Sequence, residues 1–431
     1  MFHRDHQLLK QLVLSGVAAL LIAGCGGKKD EGAAGGSAAR ESAAAVHPAA
    51  PGATIYLAEA QFIRQTGTDG KTRSVPGPAR LAIWTKGEGG WTEEVIEDPE
   101  SNVFHKAMWY APPTGEPGIL TIGATEAHLK VWRKQGGTWE AEEIWHPTFG
   151  GKWDRLRDVE VGDVDGDGVD DIAIATHDVG VIAVVSWKDG AWRVTELDRR
   201  DETFVHEVEV GDVDGDGVAE IFTTPSKPNK LDGTPQPGEI DMFDFEDGKW
   251  SRKPVDVMAD RHSKEILCVT LTGETRPVLF TALEGTHLGG DGSEQGDNTR
   301  IRLYRFDGGE ITQTDIAGLP GNLCRFLTYG DTDGDGVKEL IASTKSNGIW
   351  KLTPGAAGEE WKSSLIAAGT SGFEHATCLA DFDGDGKDEI YVASDDQGEL
   401  RCYWYDGNEY RMYVIGDLKV KPITFNIATR R

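Results

Sequence analysis

The chain has 431 residues, with 72 Asp and Glu against 44 Lys and Arg, a formal charge of −28. So acidic a protein is a poor partner for nucleic acid, whose phosphates it would repel. Its length exceeds what one hydrophobic core usually serves, which favours an architecture that adds repeated units without enlarging a single core.

At the N-terminus His3, Arg4 and Lys10 precede an apolar run from Leu12 to Ala23, too short to span a membrane comfortably, which ends in Ile22-Ala23-Gly24-Cys25. This ending resembles a lipobox. The resemblance implies that residues 1–24 are a lipoprotein signal peptide, that Cys25 is lipidated, and that acyl chains supply the membrane anchor. Gly26 after the cysteine implies, by the same resemblance, the outer membrane of a bacterial envelope, with the protein facing the periplasm or the surface. From Gly26 to Gly52 the chain is rich in Gly, Ala and Ser without periodicity. Residues 25–52 therefore form a lipidated cysteine and flexible linker, and residues 53–431 the folded domain.

Within that domain Asp-x-Asp-Gly-Asp-Gly occurs four times, beginning at Asp163, Asp212, Asp331 and Asp381. Acids at offsets 0, 2, 4 and 8 make four candidate ligand sets: Asp163, Asp165, Asp167 and Asp171; Asp212, Asp214, Asp216 and Glu220; Asp331, Asp333, Asp335 and Glu339; Asp381, Asp383, Asp385 and Glu389. Carboxylates this dense repel one another unless a hard cation joins them, and the oxygen count suits Ca²⁺, about four ions per chain. Four such ions would offset only eight of the negative charges. Val159 and Val161 alternate before the first loop and Ile172 to Ala175 follow it, so each loop joins two strands, unlike the helix-flanked loop of an EF-hand.

The loops at Asp163 and Asp212 lie 49 residues apart and those at Asp331 and Asp381 lie 50 apart, while 119 residues separate Asp212 from Asp331. A degenerate copy fills the gap, with Thr270, Thr272, Glu274 and Val278 at the ligand positions, and another runs from His105 to Ala124. Seven hairpins mark the unit ends, at Trp91, Trp139, Trp192, Trp250, Ile311, Trp361 and Tyr410. Four short strands per unit at this period predict an all-β fold, a seven-bladed β-propeller with Ca²⁺-binding loops in four blades. The first unit lacks an innermost strand, and Lys421 to Ile427 fits that pattern, so a C-terminal strand is expected to close the ring.

These loops and repeats resemble the FG-GAP or VCBS repeat family of calcium-loop propellers over nearly all of residues 53–431. The resemblance implies a scaffold and calcium, and no particular reaction.

Six residues before the first ligand position stand Arg157, His206, Arg325 and His375; the degenerate units place His105 and Lys264 there, and the C-terminal strand contributes Lys421. All seven are basic or imidazole side chains. Each begins an innermost strand, about 20 Å from the loop face, so they are expected to ring the opposite mouth of the central channel. Loops on that face add His128, His177, Lys227, Lys230, His287 and Lys345, with Glu126, Asp178, Asp395 and Asp396 among them. Arg157, Lys264, Arg325 and Lys421 suit an anionic glycan, sugar or protein ligand. His105, His206 and His375 are candidate catalytic residues, able to hold one Zn²⁺ or other divalent ion at the mouth if they meet. Phe204-Val205-His206-Glu207-Val208 and Phe373-Glu374-His375-Ala376 resemble strand starts in the propeller of the aldos-2-ulose dehydratase family, which implies a lyase or dehydratase acting on keto-sugars as the alternative to a binding module. Cys268, Cys324, Cys378 and Cys402 are expected to be free thiols at or near inner strands.

Overall fold

The computed structural model describes residues 49–227, 237–285, 298–355, 360–418 and 422–430, together with the backbone of Arg40 and Glu41. Cys25, Lys230, His287, Lys421 and the signal segment lie outside the described residues.

Seven four-stranded antiparallel sheets follow one another around an axis. Their innermost strands, in blade order, are Ile423–Thr429, Phe104–Tyr110, Leu156–Gly162, Phe204–Gly211, Ser263–Val269, Cys324–Gly330 and Thr377–Ala380. Each lies against the next, and that of blade 7 lies against that of blade 1. Ile423–Thr429 pairs antiparallel with Thr54–Ala60, Leu57 opposite Ile427, so the two ends of the propeller share blade 1 as expected.

The second strand of every blade is apolar on both faces because a neighbouring sheet covers each; Asp171–Thr176 and Glu389–Ser394 are buried along their whole length. Outermost strands such as Ala191–Asp198 are exposed or half-buried. Among the described residues, an apolar cluster fills each of the seven junctions between blades, and a second, smaller one around Val181 adds to that between blades 2 and 3. Tyr391 and Cys402 of blade 7 meet Leu57 and Trp84 of blade 1 in the junction that completes the ring. The hydrophobic effect therefore acts pairwise between sheets, which is why the ring grows without one oversized core. Among the described residues Cys268, Cys324, Cys378 and Cys402 form no disulfide.

Three features depart from expectation. A hairpin, Phe62–Thr66 with Thr72–Pro76, is inserted between the second and third strands of blade 1. Within the segment read as a tether, Arg40–Glu41 adds a short parallel strand to the outer edge of blade 7, and Ala49 is buried with Ala50 N–H donating to Phe382 O at 2.8 Å. His375 precedes the inner strand of blade 7 instead of opening it, in a left-handed conformation at φ 57°.

Candidate functional site

The four acidic loops connect the first and second strands of blades 3, 4, 6 and 7, and they repeat one hydrogen-bond pattern. In blade 3, Gly166 N–H donates to Asp163 Oδ1 and Gly168 N–H to Asp163 Oδ2, both at 2.8 Å. Asp212, Asp331 and Asp381 accept from the corresponding pairs of glycines at 2.6–3.0 Å. Gly166 and Gly168 sit at φ 75° and 82°, where a Cβ would be strained, and so turn their N–H groups inward. The last acid opens the second strand and reaches back across the loop: Glu220 accepts from Val213 N–H at 2.8 Å and Glu389 from Phe382 N–H at 2.9 Å.

Carboxylate oxygens of Asp163, Asp165 and Asp171 lie within 4.8 Å of one another, as do those of Asp212, Asp214 and Asp216, of Asp331, Asp333 and Glu339, and of all four acids in blade 7. Asp167 and Asp335 lie outside their tight groups, although each accepts the N–H two residues on as Asp216 and Asp385 do. Glu220 lies outside its tight group. Burial pushes the carboxyl of Asp171 up to about 6 and those of Glu220 and Glu389 to about 7. Asp171 Oδ1 and Asp333 Oδ1 are buried without a hydrogen-bond partner. Converging, partly orphaned carboxylates fit a hard cation.

On the opposite face the column behaves differently. In blades 2 to 6 the pairing register slips at the column position, between Phe104 and Lys106, Leu156 and Asp158, Val205 and Val208, Ser263 and Glu265, and Cys324 and Phe326. His105, Arg157, His206, Lys264 and Arg325 therefore sit in recurrent β-bulges, which re-aim side chains at a strand's end. His105, Arg157 and Arg325 line an axial cavity of about 720 Å³. His206, Lys264 and His375 do not line it.

The cavity wall also carries Lys106, Asp158, Glu160, Glu207, Glu209, Glu265 and Glu374. Several of these acids stitch the ring together. Asp158 accepts from Val208 N–H at 2.9 Å, Glu209 from Cys268 N–H at 3.2 Å and Glu265 from Leu327 N–H at 2.8 Å. Each acid thus satisfies an N–H on the otherwise unpaired edge of the next blade's inner strand. Their alternation along the inner strands, as at Asp158 and Glu160 or Glu207 and Glu209, is the sequence signal that could have located them.

The expected ring of like charge is consequently corrected. Arg157 faces Glu207 at 3.5 Å, Arg325 faces Glu284 at 3.2 Å and Glu374 at 3.4 Å, and Lys264 faces Glu284 at 3.6 Å. Burial, with Glu284 and Arg325 acting in opposite directions, leaves Lys264 lowered to about 8. Burial holds His105, His177 and His206 well below the usual imidazole range, reinforced by Arg157, Arg155 and Lys264 respectively. Repulsion is thus relieved by neutral imidazoles and by acids from adjacent strands and loops.

Nor do the three candidate catalytic histidines meet. His105 and His206 both approach His177, at ring separations of 6.1 and 4.6 Å, and His177 stacks on Phe204 at 4.4 Å. His375 is fully buried, its Nδ1 bonded to Thr344 O and its Nε2 to Thr370 Oγ1, both at 2.8 Å. The nitrogens of His105, His206 and His375 form no tight metal-ligating group among the described residues. Of the loop residues, Asp178 pairs with Arg155, Asp395 accepts from Thr424 N–H, and Lys345 lies over Phe373.

A family model described as FG-GAP-like repeat matches residues 163–223, which span the acidic loops of blades 3 and 4. The chain is a β-propeller carrying FG-GAP-like repeats. No curated protein matches the sequence significantly. Among solved structures the propeller is similar to a protein from Lactobacillus plantarum, at 12% identity, a TM-score of 0.56, and coverage of 88% of this chain and 100% of that one. It is also similar to a candidate 6-phosphogluconolactonase from Bacteroides fragilis, at 12% identity, a TM-score of 0.51, and coverage of 88% and 98%. At this identity the likeness shows the fold. The acidic loops of blades 6 and 7 repeat the hydrogen bonds of the matched pair.

Proposed function

We propose that this protein is a calcium-stabilised, lipid-anchored ligand-binding propeller of the bacterial envelope, taking an acidic saccharide in its axial cavity. The observation that carries the reading is that two guanidinium groups with spare donors, from the inner strands of blades 3 and 6, line one cavity. Arg157 has the 3.5 Å ion pair to Glu207, and Arg325 Nε is buried without a hydrogen-bond partner. A sugar carboxylate would accept from these groups, while Glu160 and Glu207 offer oxygens to sugar hydroxyls and Trp109, Phe326 and Phe425 offer ring faces. Calcium at the four FG-GAP-like loops would hold the strand ends opposite, and acylation at Cys25 would hold the protein at the membrane. Binding of uronate-containing oligosaccharides by calorimetry tests the ligand class. Arg157→Gln should weaken binding of acidic sugars by about 1.5–3 kcal/mol and leave binding of neutral ones unchanged; equal affinity for neutral and acidic sugars, or for wild type and variant, would sink the reading.

A second reading, a sugar lyase or dehydratase at the same cavity, rests on His105. Its Nδ1–H donates to Leu156 O at 2.7 Å, which leaves Nε2 as the basic nitrogen of a neutral imidazole on the cavity wall. His105→Gln separates the two: a lyase loses about 10²–10⁴-fold in kcat with KM little changed, whereas a binding protein shows no turnover of uronate substrates to lose.

A further inference from the structure

We propose a second metal site, unrelated to the FG-GAP-like loops: a His₂-carboxylate site for Zn²⁺ or a similar transition ion, formed by Glu126, His128 and His146 on the bulged face of blade 2.

The fold assembles it from two strand ends. His128 immediately precedes the third strand of blade 2, Leu129–Gln135, and His146 immediately follows the fourth, Thr138–Trp145. Because Leu129 pairs with Trp145, the two histidines are carried side by side, and their rings stack at 3.9 Å with 30° between planes. Glu126 and Ala127 both adopt left-handed backbone, at φ 64° and 51°, which turns the chain sharply just before His128. One ligand atom from each of Glu126, His128 and His146 lies within 4.8 Å of the others.

The state of His128 points to a ligand. The residue is 3% exposed. Its Nδ1–H donates to Glu143 Oε2 at 2.7 Å, leaving Nε2 with the lone pair, and Nε2 is buried without a hydrogen-bond partner. A carboxylate behind one imidazole nitrogen, with the other left free, is how metal-binding histidines are oriented and made more basic. A satisfied structural histidine would have both nitrogens bonded, as His375 does. Two imidazoles and a carboxylate select Zn²⁺ or its neighbours over Ca²⁺, which prefers oxygen alone. Tetrahedral ligand atoms stand about 3.3 Å apart at Zn–N distances near 2.0–2.1 Å; the exposed Glu126 and His146 can close that gap by rotamer change. Their exposure leaves a coordination position open to solvent.

The test uses the full chain in saturating Ca²⁺, so that the acidic loops do not compete, titrated with Zn²⁺ by calorimetry and with Co²⁺ by visible absorption. One ion per chain is expected, with the intense absorption of tetrahedral nitrogen-ligated Co²⁺. His146→Ala, at an exposed position, should weaken Zn²⁺ binding more than about 100-fold, and Glu143→Gln, which unseats the His128 tautomer, by about 10–100-fold. Glu142→Gln on the same strand should leave it unchanged. The proposal is overturned if wild type binds no Zn²⁺, if His146→Ala binds it as wild type does, or if binding is lost instead in His206→Ala, which would assign the ion to the histidines around His177.

Discussion

The two faces of the propeller present the same residues of the repeat in different physical regimes. On the loop face, each acidic turn is closed by its own glycine N–H groups, and four copies end in nearly the same geometry. On the bulged face, equivalent positions diverge: Arg157 and Arg325 reach the cavity, Lys264 is buried against Glu284, and His375 is locked between Thr344 and Thr370. A structure made by contacts within a single turn copies itself whenever the turn is copied. One made by contacts across blades depends on what each neighbour supplies.

Removing calcium should break the comparison most severely. Ions that bind native loops and not the unfolded chain add about 2.7 kcal/mol per site at a hundredfold excess over Kd. Excess chelator should therefore lower the melting temperature substantially. Asp212→Asn should cost more in calcium than Thr270→Ala, because the corresponding turn of blade 5 has no acid set to lose. A melting curve that chelation leaves in place would show that the acidic turns hold themselves together.

Acid should act through the other face. Unfolded histidines titrate near pH 6.5, while His105, His177 and His206 are held well below that in the folded protein. Below pH 6.5 the unfolded chain then binds more protons than the native one. The stability these groups contribute is present above pH 6.5 and is lost as pH falls through the window beneath it. Urea midpoints at about pH 7.5 and 5.5 measure the loss. His177→Phe keeps the stack on Phe204 and removes one titrating group, so its midpoint should move less between the two values. A shift equal to wild type would place the acid sensitivity elsewhere.

The smallest effect concerns differences among the loops. Lys188 pairs with Asp165 at 2.7 Å and also with Asp167, and Lys351 pairs with Asp333 at 2.5 Å. Among the described residues no lysine or arginine forms an ion pair with the carboxylates of the blade 4 loop; Arg276 donates there only to the backbone oxygen of Asp214, at 3.5 Å. An ammonium stabilises the same carboxylates a cation would, so Lys188→Met should tighten Ca²⁺ binding at blade 3 by about 0.2–1 kcal/mol, up to about fivefold. Site-resolved titration, with Asp212→Asn silencing blade 4, reads that change; weaker binding would mean that Lys188 shapes the loop instead of competing in it.

Much of the architecture was legible in the chain. The Asp-Gly spacing marked the loops, the hairpins headed by Trp, Tyr or Ile counted the blades, and the pattern of Lys421 to Ile427 located the strand that pairs with Thr54–Ala60. The column from His105 to Arg325 was legible as a column, and its bulges explain why it recurs. Its chemistry was not legible. Glu207, Glu265, Glu284 and Glu374 neutralise or stitch it from other strands and loops, and the partner His105 finds, His177, comes from a different blade. The Glu126, His128 and His146 group had no motif either, since its histidines are neighbours only because Leu129 pairs with Trp145.

By itself, then, the sequence determined the repeat, the turns and the order of strands, because those follow from alternation and from hydrogen bonds spanning at most a few residues. Only the tertiary structure decided which column residues stay charged, which histidines meet, and which face a cavity. Burial and Coulomb interaction depend on distance in space, and the closed ring brings blade against blade at distances that no spacing along the chain records.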